Sequence, residues 1–433
     1  MNLTYTWEQM KMNYDGVSAT YFIETPYDLQ YAAEVMAGEQ STGTFVSVPG
    51  ETAQLKKMHS AKIVEIKHLA DVSTPSLPGS KPPYPHDGKY RQGEVTLFFP
   101  LHNFGVSIPN LLATVAGNLY ELQEFSGLRL INLELPDAFA VKYRGPKFGI
   151  EGTRKLTGVY DRPIIGTIIK PSVGLSIDEL RIIVRELALA GLDFIKDDEL
   201  NADPPYAPLE HKVKAVMEEI ERAADQTGKK VMYAFNITGD IDELRRHHDL
   251  VVNHGGNCVM VSINSIGFAG LAYLNRYSEV PIHGHRNQFG FMTRCPQLGM
   301  EFTVYQKLAR LAGADQLHVN ALNSKFYESN ESVVKSVQAM KQPISGGNFA
   351  MPVLSSGQSA VTAEETYRAL GTFDVMNLAG GGIMAHPDGI RAGVVSMKQA
   401  WEAAIAGIDR EKHAQSHPEL RRAIETFAKR KSG

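Results

Sequence analysis

Residues 164–199, with the sequence IIGTIIKPSVGLSIDELRIIVRELALAGLDFIKDDE, decide the fold. Two short apolar runs, one at each end of this stretch, run into charged residues, as buried strands do where they reach a surface. Between the two runs, Ser176 and Glu179 have the spacing of a helix-capping box, and Gly191 follows the helical pattern as a stop signal. The stretch therefore predicts a strand, a helix and a second strand.

The same strand-then-helix pattern repeats from residue 162 onward. The apolar runs begin near Pro163, Leu192, Lys230, Asn257, Val280, Ala314, Met351 and Phe373. Thr362 and Glu365 predict a second capping box before one of the later helices. Eight such units in about 240 residues are typical of a (β/α)8 barrel. A doubly wound open sheet fits less well, because it usually has fewer strands and because no predicted strand is followed by a G-x-G-x-x-G turn.

The preceding part of the chain mixes strand and helix patterns without this alternation. Aromatic and β-branched runs predict strands at Gly16–Glu24, Glu94–Pro100 and Leu128–Leu135. Helical patterns cover Tyr27–Gly38 and Pro109–Leu122, and the Pro- and Gly-rich stretch Ser73–Tyr90 predicts a surface loop. We predict an α/β protein with a small α+β, ferredoxin-like domain over residues 1–147. A TIM-barrel catalytic domain with a helical tail follows over residues 148–433.

Composition excludes several classes of protein. The net charge is −4 and the hydrophobic fraction is 43%. Because no basic block is present, we expect no nucleic-acid partner. The two cysteines, Cys258 and Cys295, predict buried thiols and not a disulfide scaffold. No signal-peptide pattern or membrane-length apolar run occurs, so the expectation is a soluble cytoplasmic protein with no membrane partner.

Polar residues cluster where the predicted barrel strands end, which is where catalytic groups lie in such barrels. Lys196 and Asp198 are two residues apart on the second strand, so their side chains point to the same side. Glu199 can turn inward because the strand ends there. Clustered carboxylates suit Mg²⁺. An acidic surface turn with a salt-bridged lysine would read similarly, but the preceding apolar run favours an inward-facing Lys196.

Glycines follow the seventh and eighth predicted strands, at Gly357 and at Gly380 to Gly382. Barrels often bind phosphate there through backbone N–H groups, although simple tight turns would have the same composition. Arg286 and Lys325 supply matching positive charge. The sequence therefore predicts a site for a small phosphorylated substrate.

Together these residues resemble the ribulose-bisphosphate carboxylase superfamily. The decisive segments are Gly166-Thr-Ile-Ile-Lys-Pro171 with Gly174-Leu175, and Gly191-Leu-Asp-Phe-Ile-Lys-Asp-Asp-Glu199. Further segments follow in the order of that family: Glu39–Thr44, Gly117-Asn118, His283–Arg286, His318, Lys325, Ser355 and Leu378–His386. The resemblance covers nearly the whole chain.

The resemblance implies a role for each of these residues. Carbon dioxide would convert Lys196 to a carbamate, which would bind Mg²⁺ with Asp198 and Glu199. Lys170 would be an acid/base group, and His285 would lie beside the substrate oxygens. One phosphate site would consist of Arg286, His318 and Ser355. The other would consist of Thr44, Gly357, Gly380, Gly381 and Lys325, with Lys325 on a closing loop.

The resemblance also implies an oligomer. Glu39, Thr44 and Asn118 would reach the site from the neighbouring subunit, so we expect a homodimer or a higher homo-oligomer.

The sequence departs from the carboxylases of the family. Ser172 stands where they have a second lysine, and Val319-Asn320 stands where they have Ser-Gly. Phe45 replaces a tryptophan, and Ser356 replaces a glycine. Loss of the second lysine changes the charge around Lys170. We therefore expect a carboxylase-like (form IV) protein and no ribulose-bisphosphate carboxylation.

Within the carboxylase-like families, a metal-assisted enolisation can have several outcomes. We favour cleavage of 3-oxo-isoapionate 4-phosphate to 3-phosphoglycerate and glycolate, because a substrate with a carboxylate and a phosphate would use both anion sites. The alternatives are enolisation of 2,3-diketo-5-methylthiopentyl 1-phosphate and isomerisation of methylthioribulose 1-phosphate. A non-catalytic binding protein is the alternative of another class. The full set of metal ligands argues against it, because a buried lysine–carboxylate cluster that served no function would be costly to maintain.

Overall fold

A computed structural model describes residues 15–43, 48–344, 347 and 349–428. It divides into two compact units. The first unit comprises Met1–Tyr143 and Gln288–Leu308, and the second comprises Arg144–Asn287 and Ala309–Gly433. The division after residue 147 remains a prediction. The structure adds that residues 288–308, which interrupt the barrel repeats, belong with the first unit.

The strands of the described residues are listed here in chain order. They are β1 (Gly16–Thr25), β2 (Lys62–Val72), β3 (Tyr90–Pro100), β4 (Gly127–Glu134), β5 (Ile164–Ile168), β6 (Phe194–Lys196), β7 (Met232–Asn236), β8 (Cys258–Ser262), β9 (Ile282–His285), β10 (Leu298–Met300), β11 (Gln316–His318), β12 (Met351–Leu354) and β13 (Met376–Leu378).

The helices are numbered in the same way. They are α1 (Leu29–Glu39), α2 (Ala53–His59), α3 (Ile108–Ala116), α4 (Asp137–Lys142), α5 (Gly149–Thr157), α6 (Ile177–Leu189), α7 (Leu209–Thr227), α8 (Ile241–Asn253), α9 (Ile263–Tyr277), α10 (Phe289–Thr293), α11 (Phe302–Ala312), α12 (Asn330–Met340), α13 (Ala363–Leu370), α14 (Gly381–Met384), α15 (Ile390–Ala406), α16 (Arg410–Ala414) and α17 (Pro418–Phe427). Short 3₁₀ turns cover Leu101–Asn103, Asn118–Glu121 and Ala360–Thr362.

The first unit contains a five-stranded sheet in the order β10-β4-β1-β3-β2. The central strand β1 is antiparallel to both neighbours, and its Tyr21 lies opposite Val95 and Leu130. The three predicted strands of this unit and its two predicted helices are present. Two edge strands were not predicted. No residue of β2 is buried, and charged residues recur along it, whereas β10 has only three residues and pairs in parallel with β4.

The second unit contains the predicted barrel. Its eight strands form one closed parallel sheet in the order β11-β12-β13-β5-β6-β7-β8-β9. Strands β6, β7, β8 and β12 are buried along their whole length, as expected for parallel strands that are covered on both faces. The prediction of a (β/α)8 barrel is therefore confirmed.

Side chains fill the interior of the barrel. Ile164, Phe194, Met232, Met260 and Met376 belong to one buried apolar cluster. Strand β5 approaches its neighbours closely at Gly166, where an added Cβ atom would lie 2.6 Å from Leu378 Cδ2 and 2.8 Å from the Phe194 carbonyl oxygen. A glycine is therefore required here so that β5 can pack between β6 and β13.

One of the two predicted capping boxes is correct. Ser176 and Glu179 exchange the expected hydrogen bonds at the start of α6. The box predicted at Thr362 and Glu365 is wrong, because Thr362 ends a 3₁₀ turn in a helical conformation and its hydroxyl donates to the Ser359 carbonyl. The box in this region pairs Ser359 with Thr362, three residues earlier than predicted.

The two cysteines are free. Burial raises the pKa of the Cys258 thiol, which disfavours the reactive thiolate. Cys295 is only partly buried. Among the described residues, no helix combines the length and the hydropathy that crossing a bilayer requires.

We expect Gly166→Ala to lower the free energy of unfolding by about 1–3 kcal/mol, because the methyl group would overpack the barrel interior. Chemical denaturation of the purified protein measures this change. The matched control is Gly290→Ala, where an added Cβ meets no atom within 4 Å. Equal stability of the two variants would contradict the close packing of β5.

Candidate active site

The side chains at the carboxyl ends of the barrel strands form a connected set of contacts. We use the name lysine cluster for Lys170, Lys196, Asp198, Glu199 and His285. We use the name histidine relay for Ser355, His318, His283 and Gln316. Because all eight strands run in parallel, the residues at the strand ends lie at one mouth of the barrel, whereas Gln316, the first residue of β11, lies in the barrel interior beside Met232.

Lys196 lies at the centre of the lysine cluster and is 1% exposed. Its Nζ donates to the Asp197 carbonyl oxygen at 2.8 Å and to Glu199 Oε2 at 3.3 Å. Burial lowers the pKa of Lys196 against the opposing effect of Glu199 and Asp198. Desolvation therefore favours the neutral amine, which is the nucleophilic form.

Glu199 lies between two basic groups. Its Oε2 is 3.3 Å from Lys196 Nζ and 3.5 Å from His285 Nε2. Burial alone would raise the pKa of Glu199, but the charge of Lys196, and that of His285 when its ring is protonated at low pH, lower it to about 2. Glu199 thus keeps an ionised carboxylate directed at Lys196 and His285.

Asp198 and Lys170 form the outer edge of the lysine cluster. Lys170 Nζ lies 2.6 Å from Asp198 Oδ2, and it also donates to Ser172 Oγ at 2.9 Å. Asp198 is buried, whereas the side chain of Lys170 is 46% exposed. Lys170 therefore reaches from a buried carboxylate toward the open end of the barrel. Ser172 contacts it where the carboxylases have a second cation.

Asp197 points away from the cluster and holds the strand end in place. Its carboxylate accepts hydrogen bonds from Tyr233 OH at 2.6 Å and from the Asn236 N–H at 2.9 Å. Lys212 Nζ, itself buried, lies 2.9 Å from the same carboxylate. These partners fix the turn that carries Asp198 and Glu199. The sequence analysis did not identify them, although alternation along β6 places Asp197 on the opposite side from Lys196.

The hydrogen bonds of the histidine relay all run the same way, from Ser355 through His318 and His283 to Gln316. His283 Nδ1 lies 2.8 Å from Gln316 Oε1, which can only accept, so Nδ1 carries the proton. His283 Nε2 then accepts from His318 Nε2 at 2.8 Å. His318 Nδ1 in turn accepts from the Ser355 hydroxyl at 2.9 Å. Because the Ser355 hydroxyl donates its proton to His318, the Ser355 oxygen can offer only lone pairs to a ligand.

Burial favours the neutral form of all three histidines. Burial and the charge of Lys196 lower the pKa of His285 to about 4. Burial also lowers the pKa values of His283 and His318 well below their usual range. The ring centroids of His285 and His318 are 4.3 Å apart, so the lysine cluster and the histidine relay are in contact.

Arg286 is paired with a carboxylate that the sequence analysis did not identify. Its Nη2 lies 2.5 Å from Glu328 Oε2, and both side chains are largely buried. Asn320 Nδ2 donates to the same oxygen at 2.5 Å, and Ser332 donates to Glu328 Oε1 at 2.8 Å. Asn320 occupies the left-handed region at φ 63°, which asparagine tolerates. The positive charge of Arg286 is therefore balanced within the protein.

The residues of the second predicted phosphate site lie on three loops. Lys325 is on the loop between β11 and α12, where its Nζ lies 5.5 Å from the Phe326 ring centroid. A Cβ added at Gly357 would lie 3.5 Å from the Lys325 backbone nitrogen, so these two loops are adjacent. Gly380 and Gly381 open α14 directly after β13. Their binding roles remain predictions.

The predicted residues of the first unit are close to each other. Asn118 Nδ2 donates to Glu39 Oε1 at 3.4 Å. Thr44 and Phe45 lie outside the described residues. The roles of Glu39, Thr44 and Asn118 at a shared site remain predictions.

Two family profiles and a solved structure match nearly the whole chain. The family profile described as ribulose bisphosphate carboxylase large chain, catalytic domain, matches residues 149–427. The profile of the N-terminal domain of the same protein matches residues 4–139. The crystal structure of a rubisco-like protein from Burkholderia fungorum is similar with a TM-score of 0.89 and 45% identity, covering 95% of this chain and 100% of that chain.

Two curated relatives have related activities in their names. The 3-oxo-isoapionate-4-phosphate transcarboxylase/hydrolase of Xanthobacter autotrophicus is 51% identical over 412 residues, 95% of this chain and 99% of the relative. The 3-oxo-isoapionate-4-phosphate decarboxylase of Rhizobium etli is 44% identical over 415 residues, again 95% and 99% of the two chains. With both domain profiles matched and this identity over nearly the full length, the chain belongs to the ribulose bisphosphate carboxylase large-chain family, as a RuBisCO-like protein.

Proposed function

We propose that this chain is a Mg²⁺-dependent enzyme that acts on 3-oxo-isoapionate 4-phosphate and yields 3-phosphoglycerate and glycolate. The observation that carries the proposal is the complete lysine cluster, with a buried amine beside two carboxylates. Both relatives described above have this substrate in their names. The 51% identity to the transcarboxylase/hydrolase favours the cleavage reaction.

The residues present fit the proposed metal site. Lys196 has a buried amine whose pKa is lowered, and the neutral amine is the form that adds to carbon dioxide. The carbamate would be negatively charged and would offer oxygen atoms as ligands. Together with the carboxylates of Asp198 and Glu199 it would form a donor set that suits Mg²⁺. When bound, the metal would polarise a substrate carbonyl and stabilise negative charge on its oxygen.

The substrate chemistry begins at a 3-oxo acid. When its carboxylate leaves as carbon dioxide, the bonding electron pair moves into the neighbouring ketone and forms an enediolate. The former ketone carbon of the enediolate then takes up the carbon dioxide, and the other enediolate carbon becomes a ketone. Attack of water on this new ketone breaks the carbon–carbon bond between the two carbons, which releases glycolate, and a proton adds to the other carbon to give 3-phosphoglycerate. Lys170 is placed to move a proton, because its amine lies at the open side of the cluster and Asp198 holds it at 2.6 Å. The neutral His285 would hydrogen-bond to the substrate oxygens.

The two ends of the site favour a substrate with one phosphate. At the Arg286 end, Glu328 already balances the cation, and Ser355 offers lone pairs instead of a proton. A dianionic phosphate would lie beside the Glu328 carboxylate, at an electrostatic cost. A carboxylate or hydroxyl groups would meet less repulsion there. We therefore propose that the phosphate binds at the glycine loops, near Gly357 and Gly380.

The decarboxylase reaction is a second candidate, because the relative with that name is 44% identical over nearly the full chain. In that case Lys170 would protonate the enediolate, and the product would be a four-carbon keto sugar phosphate and carbon dioxide. Both candidates use the same substrate and differ in the fate of one carboxyl group.

We also propose that the active protein is a homodimer or a higher homo-oligomer. Membership of the family supports this proposal, because the family's sites combine residues of both domains from neighbouring subunits. Glu39 and Asn118, which are in contact in the first unit, would then complete the site of the adjacent chain.

Substrate labelled with ¹³C at the carboxyl carbon tests the proposed reaction. We expect the label in the carboxyl group of 3-phosphoglycerate and not in glycolate, because the transferred carboxyl group stays on the phosphorylated fragment; NMR of the reaction mixture measures it. Release of the label as carbon dioxide, with a four-carbon keto sugar phosphate, would replace the cleavage reaction by decarboxylation. Absence of turnover, together with no exchange of substrate protons in deuterated water, would contradict both and favour a binding protein.

We expect Lys196→Met to lower Mg²⁺-dependent turnover by about 10²–10³-fold or more, because the variant has no amine to form the carbamate ligand. The rate of product formation is one measurement. The second is the rise in the thermal midpoint that Mg²⁺ with bicarbonate should produce in the wild type only. Lys214→Met, on the exposed face of α7, is the matched control. A fully active Lys196→Met protein would refute the metal-site proposal.

We expect Glu328→Gln to strengthen inhibition by a bisphosphate such as ribulose 1,5-bisphosphate by about tenfold, because the substitution removes a negative charge beside Arg286. The inhibition constant, measured against the monophosphate substrate, is the readout. Glu331→Gln, at the exposed start of α12, removes the same charge away from Arg286 and serves as the control. An unchanged inhibition constant in Glu328→Gln would show that Glu328 does not select against a second phosphate.

A further inference from the structure

Glu402, His413 and His417 form a second cluster of potential metal ligands outside the candidate active site. Glu402 is on α15, His413 is on α16, and His417 immediately precedes α17. One potential ligand atom of each residue lies within 4.8 Å of the other two. The two imidazole rings are stacked, with centroids 3.8 Å apart and planes inclined by 16°.

Hydrogen bonding leaves a nitrogen lone pair on His417 available for a ligand. Its Nδ1 lies 2.8 Å from the His413 carbonyl oxygen, an acceptor, so Nδ1 carries the proton and Nε2 keeps its lone pair. A metal-binding histidine commonly donates its second ring nitrogen to a backbone carbonyl in this way. The position of the proton is thus the one that coordination through Nε2 requires.

His413 provides a second imidazole nitrogen. Its Nε2 is shielded from solvent and has no hydrogen-bond partner in the part of the chain that the structure describes. A buried polar atom without a partner costs free energy, and coordination to a cation would recover it.

We propose that Glu402, His413 and His417 bind one divalent transition-metal ion of the zinc class. Two imidazole nitrogens and one carboxylate oxygen are ligands that Zn²⁺ prefers, with water in the fourth position, whereas Mg²⁺ and Ca²⁺ prefer oxygen ligands alone. Ligand atoms around tetrahedral Zn²⁺ are about 3.4 Å apart, since its bonds are about 2.1 Å long. Because imidazole lone pairs lie in the ring planes, the two stacked rings must turn away from parallel to reach one ion, and the exposed side chain of Glu402 must rotate toward them.

The site has a structural consequence for the end of the barrel unit. Glu402 belongs to α15, whereas both histidines belong to the segment that follows it. A metal ion bound by all three would cross-link α15 to the turn between α16 and α17. The site shares no residue with the lysine cluster, so the proposal does not depend on the proposed function.

Zinc binding to the full-length chain, prepared without a histidine tag and freed of metal by chelation, tests the proposal. Equilibrium dialysis against Zn²⁺, followed by metal analysis, gives the number of ions bound per chain. We expect His417→Ala to bind one ion fewer than the wild type, whereas His211→Ala, an exposed histidine on α7, should match the wild type. Because the barrel residues can also take up zinc, the difference between variants is the relevant quantity.

Glu402→Gln provides a second test that a folding defect does not confound, because this side chain is exposed and the substitution preserves its shape. We expect this substitution to weaken the zinc affinity of the proposed site by about tenfold or more. Cobalt(II) should give a visible absorption band in the wild type that is absent in His417→Ala. Equal zinc content in the wild type and His417→Ala would overturn the proposal, as would unchanged zinc affinity in Glu402→Gln.

Discussion

The burial of the Lys196 amine is the constraint on which the rest of the candidate site depends. An ammonium group that is removed from water at the end of β6 must either lose its proton or be compensated by nearby oxygens. The Asp197 carbonyl and the Glu199 carboxylate provide that compensation. Glu199 can remain in place only because the preceding turn is fixed, and Tyr233, Asn236 and Lys212 fix it through the Asp197 side chain. The compensation of one buried amine thus depends on a second set of buried contacts, made by the Asp197 side chain on the other side of the turn.

The barrel and the centre of its site could be predicted from the sequence because both follow from local periodicity. Alternation along a strand placed Lys196 and Asp198 on one side, and eight repeated units specified a closed parallel sheet. The Glu328 contact could not be predicted in this way. Glu328 is on a loop, 42 residues from Arg286, and no periodic pattern relates a loop residue to a strand end. The same holds for the Lys212 contact with Asp197, because Lys212 lies on a helix whose pattern alone does not identify its partner.

Errors in the local predictions also have physical causes. The box expected at Thr362 has the right residue types, but a 3₁₀ turn precedes α13 and gives Thr362 a helical conformation in place of the extended one that an N-cap needs. Strand β2 was missed because none of its residues is buried and charged residues interrupt its apolar ones, so no clear apolar alternation marks it. In both cases neighbouring structure decided the conformation.

The two ends of the site differ in the charge that they offer. At one end, Arg286 is held by an acid and two further donors approach that acid, so little net positive charge faces a ligand. At the other end, backbone amides and Lys325 belong to loops without a comparable carboxylate partner among the contacts described. An active site with ends of unequal charge distinguishes the two ends of its substrate and fixes the direction in which a chain of carbon atoms lies in it.

The pairing of β10 with β4 has a consequence for the biosynthesis of the protein. Strand β4 ends at Glu134, but β10 begins at Leu298, after five of the barrel strands. A ribosome must therefore synthesise more than 160 further residues before the edge of the first sheet can acquire its last strand. Until then, β4 has an unpaired edge, which is the kind of surface that pairs with other nascent chains. Completion of the N-terminal sheet thus depends on the translation of the first five barrel strands.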